Sequence, residues 1–133
     1  MDIKLQKKLL QKYPKIFRQK DLPIQQTCMC WGIECGSGWY NIIDTLCSKI
    51  QKICEAKHIN IEAVQVKEKF GGLRFYTNYS DDDIDKQIER AEEESYKTCE
   101  SCGSLDKVTQ TKGWIVTLCD KCMKTYKKEH SFK

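Results

Sequence analysis

Apolar positions along this chain change period twice, from helical to alternating and back, and the changes divide it into elements. Ile3, Leu5, Leu9 and Leu10 stand among lysines and predict a first helix over 3–11. Pro14 and Pro23 then bracket a segment predicted to be an extended connector, because each proline removes an amide donor and disfavours helix just before it. Ser37 is the predicted N-cap of a second helix running to residue 55. Trp39, Ile42, Ile43, Leu46, Ile50 and Ile53 fall there at three- and four-residue steps and share one stripe. Cys47 and Cys54 lie beside that stripe and read as small core residues.

Residues 61–79 alternate instead. Val64 and Val66, then Leu73, Phe75, Thr77 and Tyr79, are separated by polar positions, with Gly71-Gly72 between the two runs. Two glycines between alternating runs predict a β-hairpin with its turn at Gly71-Gly72. That pairing sets Phe70 opposite Leu73 and Lys69 opposite Arg74. One face, with Val64, Val66, Phe70, Leu73, Phe75 and Tyr79, is fit for burial. The other carries Lys67, Lys69, Arg74 and Tyr76. Like charges directly opposed cost stability unless a counter-charge arrives, so this second face is the candidate surface for an anion.

Ser80-Asp81-Asp82-Asp83 opens a third helix over 84–96, with the Asp side chains as caps and Ile84, Ile88, Ala91 and Ser95 as its inner seam. Residues 108–111 and 114–118 read as two short strands joined near Lys112-Gly113, and the basic stretch 123–133 as a tail ending in a short helix.

Around those strands stand Cys99, Cys102, Cys119 and Cys122, two CxxC pairs with 16 residues between them. Each pair can place two thiolates on one edge of a tetrahedron, and zinc accepts four such ligands without redox chemistry. Two disulfides are the competing reading. Four protein ligands leave no position for water or substrate, so one Zn2+ here is expected to be structural. The fold class expected is therefore α+β: N-terminal helices, a β-hairpin or small antiparallel sheet, and a C-terminal zinc ribbon with four cysteine ligands. Residues 1–97 form the α+β domain and 98–133 the ribbon and basic tail, packed as one unit.

Composition adds limits. With 133 residues and 13 aromatics the chain can bury one real core. Nine cysteines, an odd count, and no apolar leader suggest a reducing cytoplasm and no membrane span. The net charge of +4 is uneven: seven basic residues against one acid over 1–20, and ten acids against six basic residues over 61–98. Such a balance permits an anionic partner without demanding one.

Cys28, Cys30 and Cys35 could form a second metal site with Cys47, Cys54 or His58, or could pack around Trp31 and Trp39. Trp31, near Gly36 and Gly38 and the helix start, is a candidate stacking platform for a base, with hydrophobic packing as the plainer reading. Phe70-Gly71-Gly72 lacks the pattern of a phosphate loop. The chain has two histidines, His58 and His130, and no nucleophile–base pair at a recognisable spacing. It therefore reads as no enzyme.

Several segments together resemble a family of small proteins of bacteriophages and prophages: 12–17 (KYPKIF), 28–40 (CMCWGIECGSGWY), 64–76 (VQVKEKFGGLRFY), 98–103 (TCESCG), then Gly113-Trp114 and Thr117-Leu118-Cys119. The resemblance covers nearly the whole chain. It implies a phage setting, hence the cytoplasm of an infected bacterial cell; the family carries no settled activity, so the resemblance names no catalytic residues. The function expected is a non-catalytic anti-defence protein that sequesters an anionic nucleotide immune signal. Trp31 would stack a base, and Lys67, Lys69, Arg74 and Tyr76 would contact phosphate. The alternatives are a zinc-ribbon regulator binding nucleic acid and a protein–protein inhibitor of a host enzyme, either one open to homo-oligomerisation.

Overall fold

The computed structural model describes residues 1–130. Helix α1 covers Ile3–Lys12 and is capped by Asp2, whose carboxylate accepts the N–H groups of Lys4 and Leu5. The segment between the prolines is not extended. Phe17 N–H bonds to the Tyr13 carbonyl, and a 3-10 turn follows over Arg18–Asp21. Ile16 and Phe17 are both buried. Extended backbone would send these neighbours to opposite faces, whereas a turn directs both inward.

A 3-10 turn over Ser37–Trp39 leads into helix α2, Tyr40–Lys57. Ser37 does not cap α2. Its hydroxyl accepts the N–H of Asp2 at 2.9 Å and so ties down the N-terminus of the chain. α2 buries Ile42, Ile43, Leu46, Cys47 and Ile50, with Ile53 and Cys54 at its half-buried margin.

Strands β1 (Ile33–Glu34), β2 (Ala63–Lys69) and β3 (Gly72–Thr77) form one sheet in that order, β1 parallel to β2 and β2 antiparallel to β3. Ile33, Val66, Leu73 and Phe75 point into the core. The hairpin register departs from expectation: Lys67 faces Arg74, Glu68 faces Leu73 and Lys69 faces Gly72. The two-residue loop is Phe70-Gly71, with φ of 54° and 81°, left-handed at both positions as a tight twisted hairpin requires. Gly72 instead begins β3, packed against Tyr96. A Cβ there would lie 2.4 Å from the ring of Tyr96. Phe70 is consequently exposed, and Lys69 does not oppose Arg74. An irregularity between Ala63 and Gln65 turns Ala63 into the core and leaves Val64 half-buried. Tyr79, beyond the end of β3, is exposed.

Helix α3 (Asp82–Ser95) is capped by Asp81, which accepts from the N–H groups of Asp83 and Ile84. It buries Ile84, Ala91 and Ser95 against α2 and the outer edge of β3. At that edge Ser95 Oγ accepts the Leu73 N–H at 2.9 Å. The chain then forms the antiparallel pair β4 (Val108–Gln110) and β5 (Thr117–Cys119), followed by helix α4, Asp120–Glu129. Positions 131–133 of the expected tail helix lie outside the described residues. The architecture is mixed α+β with a ribbon-like C-terminal unit. Among the described residues no helix is long and apolar enough to cross a membrane.

Candidate functional site

The C-terminal unit is built around its cysteines. Cys99 ends the loop after α3, Cys102 follows at a knuckle, Cys119 closes β5 and Cys122 lies in the first turn of α4. Their sulfurs all fall within 4.8 Å of one another, and Cys102 Sγ is 3.7 Å from Cys119 Sγ. A tetrahedron of sulfurs at zinc–thiolate distance has edges of about 3.8 Å. A disulfide would need about 2.05 Å, and all four thiols are free. The N–H groups of Cys102 and Cys122 each point back at the first sulfur of their pair, at 3.5 Å. Cys119 also serves as the N-cap of α4, where the helix dipole favours a thiolate.

The electrostatics ask for a cation. Burial pushes the Cys99 thiol up, but the backbone N–H groups of Cys119, Cys102 and Ser101 outweigh it and hold the thiol at about 7. Cys122 is pushed up to about 12 by burial and by its three sulfur neighbours. One thiolate thus forms readily and resists the next, and a positive ion at the centre would favour the ionised form of all four. The four cysteines can hold a metal ion.

Compared with known proteins, the chain matches no family model, no curated protein and no solved structure.

The cysteine unit is hydrogen-bonded to the rest of the protein at several places, the Gln110 side-chain amide donating to the Tyr96 carbonyl at 2.8 Å among them. Trp39, buried at the start of α2, donates its indole N–H to the Thr98 carbonyl at 3.0 Å. Gly38 N–H donates to the Glu100 carbonyl at 2.7 Å, and Gly36 N–H to the Glu100 carboxylate at 2.9 Å. Thr117 Oγ1 donates to the Gly71 carbonyl at the hairpin tip, at 2.6 Å. The two glycines of the 36–38 segment therefore belong to this junction and not to a phosphate pocket. Cys28, Cys30 and Cys35 do not gather: among the described residues the only cluster of three or more metal-ligating side chains is the C-terminal one. Cys35 is buried, which pushes its thiol up to about 12, while Cys28 and Cys30 are exposed.

The outer face of the sheet carries Lys67, Lys69, Arg74 and Tyr76, with Glu34 next to Lys67 on β1. Arg74 is not available as a free cation. Its Nη1 lies 2.7 Å from Glu92 Oε2 on α3 and 3.4 Å from the Tyr96 hydroxyl. Lys67 and Lys69 make no ion pair among the described residues. Lys67 Nζ stands 6.0 Å from the centroid of the Tyr76 ring. Trp31, 62% exposed, sits in a 3-10 turn that contacts β2, so it packs into no staple.

Sequence reasoning missed two exposed aromatics beyond this face. Phe70 at the hairpin tip is 66% exposed and Trp114 in the β4–β5 loop is 82% exposed. The two loops meet, since a Cβ at Gly71 would touch Ile115 at 2.7 Å. The alternation of β2 gave no signal for Phe70, whose exposure follows from the register alone.

Proposed function

We propose that this protein is a non-catalytic binding protein of phage origin that captures an anionic nucleotide, and that one zinc ion in the four-cysteine centre staples its C-terminal unit. Four sulfur donors, with no oxygen or nitrogen in the set, favour zinc over hard cations. What carries the ligand assignment is the partly exposed outer face of the sheet, where Lys67 lies over the exposed Tyr76 ring and Lys69 stands nearby without an acidic partner among the described residues. An aromatic face can stack a base, and an ammonium can hold its phosphate. Trp31 offers a second aromatic surface beside β2. Arg74 contributes little charge, being neutralised by Glu92. The anti-defence role rests on the resemblance of the sequence motifs to phage proteins.

Thermal shift and calorimetry with cyclic and linear nucleotides test the ligand. The expected result is a raised melting temperature with at least one nucleotide, and affinity lowered about tenfold in Lys67→Ala and Lys69→Ala. Unchanged affinity in both variants would remove the site from this face.

A second reading, binding of single-stranded nucleic acid, is favoured by the exposed Phe70 and Trp114 on loops that meet, with Lys69 Nζ 5.6 Å from the Phe70 ring centroid. A strand bound there would lose affinity steeply with salt, about in proportion to the number of phosphates contacted, whereas a single nucleotide would show a shallow dependence.

A further inference from the structure

β3 is an outer strand, so one side of its backbone is unpaired by β2. At Leu73 that side is closed, because the N–H donates to Ser95 Oγ. Alternation turns the N–H and C=O of Phe75 to the same side two residues on, and no hydrogen bond joins them to α3 among the described residues. Beyond the Leu73–Ser95 contact, a cleft of about 460 Å³ lies between strand and helix. Arg74, Phe75, Tyr76 and Thr77 line its strand side, and Asp85, Ile88, Glu89 and Glu92 its helix side. Among the described residues Arg74 is the one cation lining it, and it is already paired with Glu92. The cleft is therefore acidic, with Ile88 among its lining residues and a strand edge along one wall.

We infer that the cleft between β3 and α3 takes an extended Lys/Arg-rich segment of a partner protein as an added strand. The backbone of Phe75 supplies the ladder, Ile88 the apolar contact, and Asp85 and Glu89 the countercharge for side chains that alternate toward the helix. The cleft borders the outer sheet face and shares Arg74 and Tyr76 with it, but its helix wall is acidic and suits a cationic chain.

A fluorescent peptide alternating valine with lysine and arginine tests the site by anisotropy, alongside amide hydrogen exchange of the protein. Expected are saturable binding, slower exchange at the Phe75 amide, and about tenfold weaker binding for Glu89→Lys, whose exposed position leaves the melting temperature unchanged. The same peptide N-methylated at alternate amides should lose a comparable factor, because its ladder bonds are blocked on one side. The inference is overturned if no saturable binding is seen, if the N-methylated peptide binds as well as the parent, or if exchange at Phe75 is unaltered. The last two results would mean diffuse attraction to the acidic helix.

Discussion

Arg74 and Glu92 form an ion pair across the edge of the sheet, with Nη1 and Oε2 at 2.7 Å and the Tyr96 hydroxyl within reach of the same guanidinium. The pair relieves the opposition of Lys67 and Arg74 in the hairpin, which the register would otherwise leave uncompensated. Arg74→Ala is expected to lower stability by about 1 kcal/mol, the side chains being partly exposed. Nucleotide affinity should change less than in Lys67→Ala. Denaturant melts and calorimetry on both variants check this, and the reverse order would restore Arg74 as the principal anion contact.

The cysteine centre is expected to hold one zinc per chain, since metal binding there is coupled to folding. Cys119→Ser removes a ligand and the N-cap of α4 together. Metal analysis should show zinc lost, and hydrogen exchange should show α4 unprotected while α2 keeps its protection. A variant that retained a full equivalent of zinc would refute the ligand assignment.

Phe70 pairs left-handed backbone with a bulky exposed ring, a conformation that costs about 1–2 kcal/mol outside glycine and asparagine. Phe70→Asn should therefore stabilise the hairpin by about 1 kcal/mol, because Asn-Gly suits this turn. If the aromatic surface binds a nucleic-acid strand, the same variant should weaken that binding. A variant more stable and equally active would make Phe70 incidental.

Gly38 meets backbone that cannot yield. A Cβ there would lie 2.1 Å from the Cys99 carbonyl oxygen and 2.6 Å from that of Glu100. Gly38→Ala is expected to cost about 2–3 kcal/mol and to loosen the cysteine unit from the helices. Urea unfolding followed by tryptophan fluorescence, with Trp39 at the junction, measures both effects.

Asp44 should contribute to acid sensitivity, as should Asp81, which Lys57 and the α3 amides hold low in the same way. The Tyr13 hydroxyl donates to the Asp44 carboxylate at 2.6 Å and Lys12 Nζ lies 3.0 Å away, so both hold the carboxyl below its ordinary range, with burial opposing them. The contribution is present above the unfolded carboxylate value, about pH 4, and is lost as pH falls through the lower folded value. Tyr13 itself is raised to about 12, chiefly by burial. Its share holds below about pH 10 and disappears as pH rises through the folded value. Asp44→Asn should lower the denaturation midpoint at pH 7 and flatten its decline in acid. An acid limb as steep as the parent's would place the titrating group elsewhere.

Much of this architecture was legible in local signals. The stripe of α2, the inner seam of α3 with its Asp cap, and the two CxxC knuckles with short strands between them depend on neighbours within a few residues, and a single chain displays them. The cap at Ser37 failed because a distant group, the Asp2 amide, competes for that hydroxyl. The extended connector failed because two adjacent apolar side chains needed the same core. β1, two residues long, has no period to read and exists only because β2 runs beside it.

The sequence by itself determined the α+β class, the helix faces and the four cysteines able to meet around an ion, because periodicity and ligand spacing are properties of the chain read in order. Only the tertiary structure decided the hairpin register and the state of Arg74. Tyr96 packs on Gly72 where β3 begins, with the turn at Phe70-Gly71, and Glu92 arrives from a helix 18 positions away to neutralise the arginine. Packing and charge pairing act through space, and the partners they select are not written in the residues adjacent along the chain.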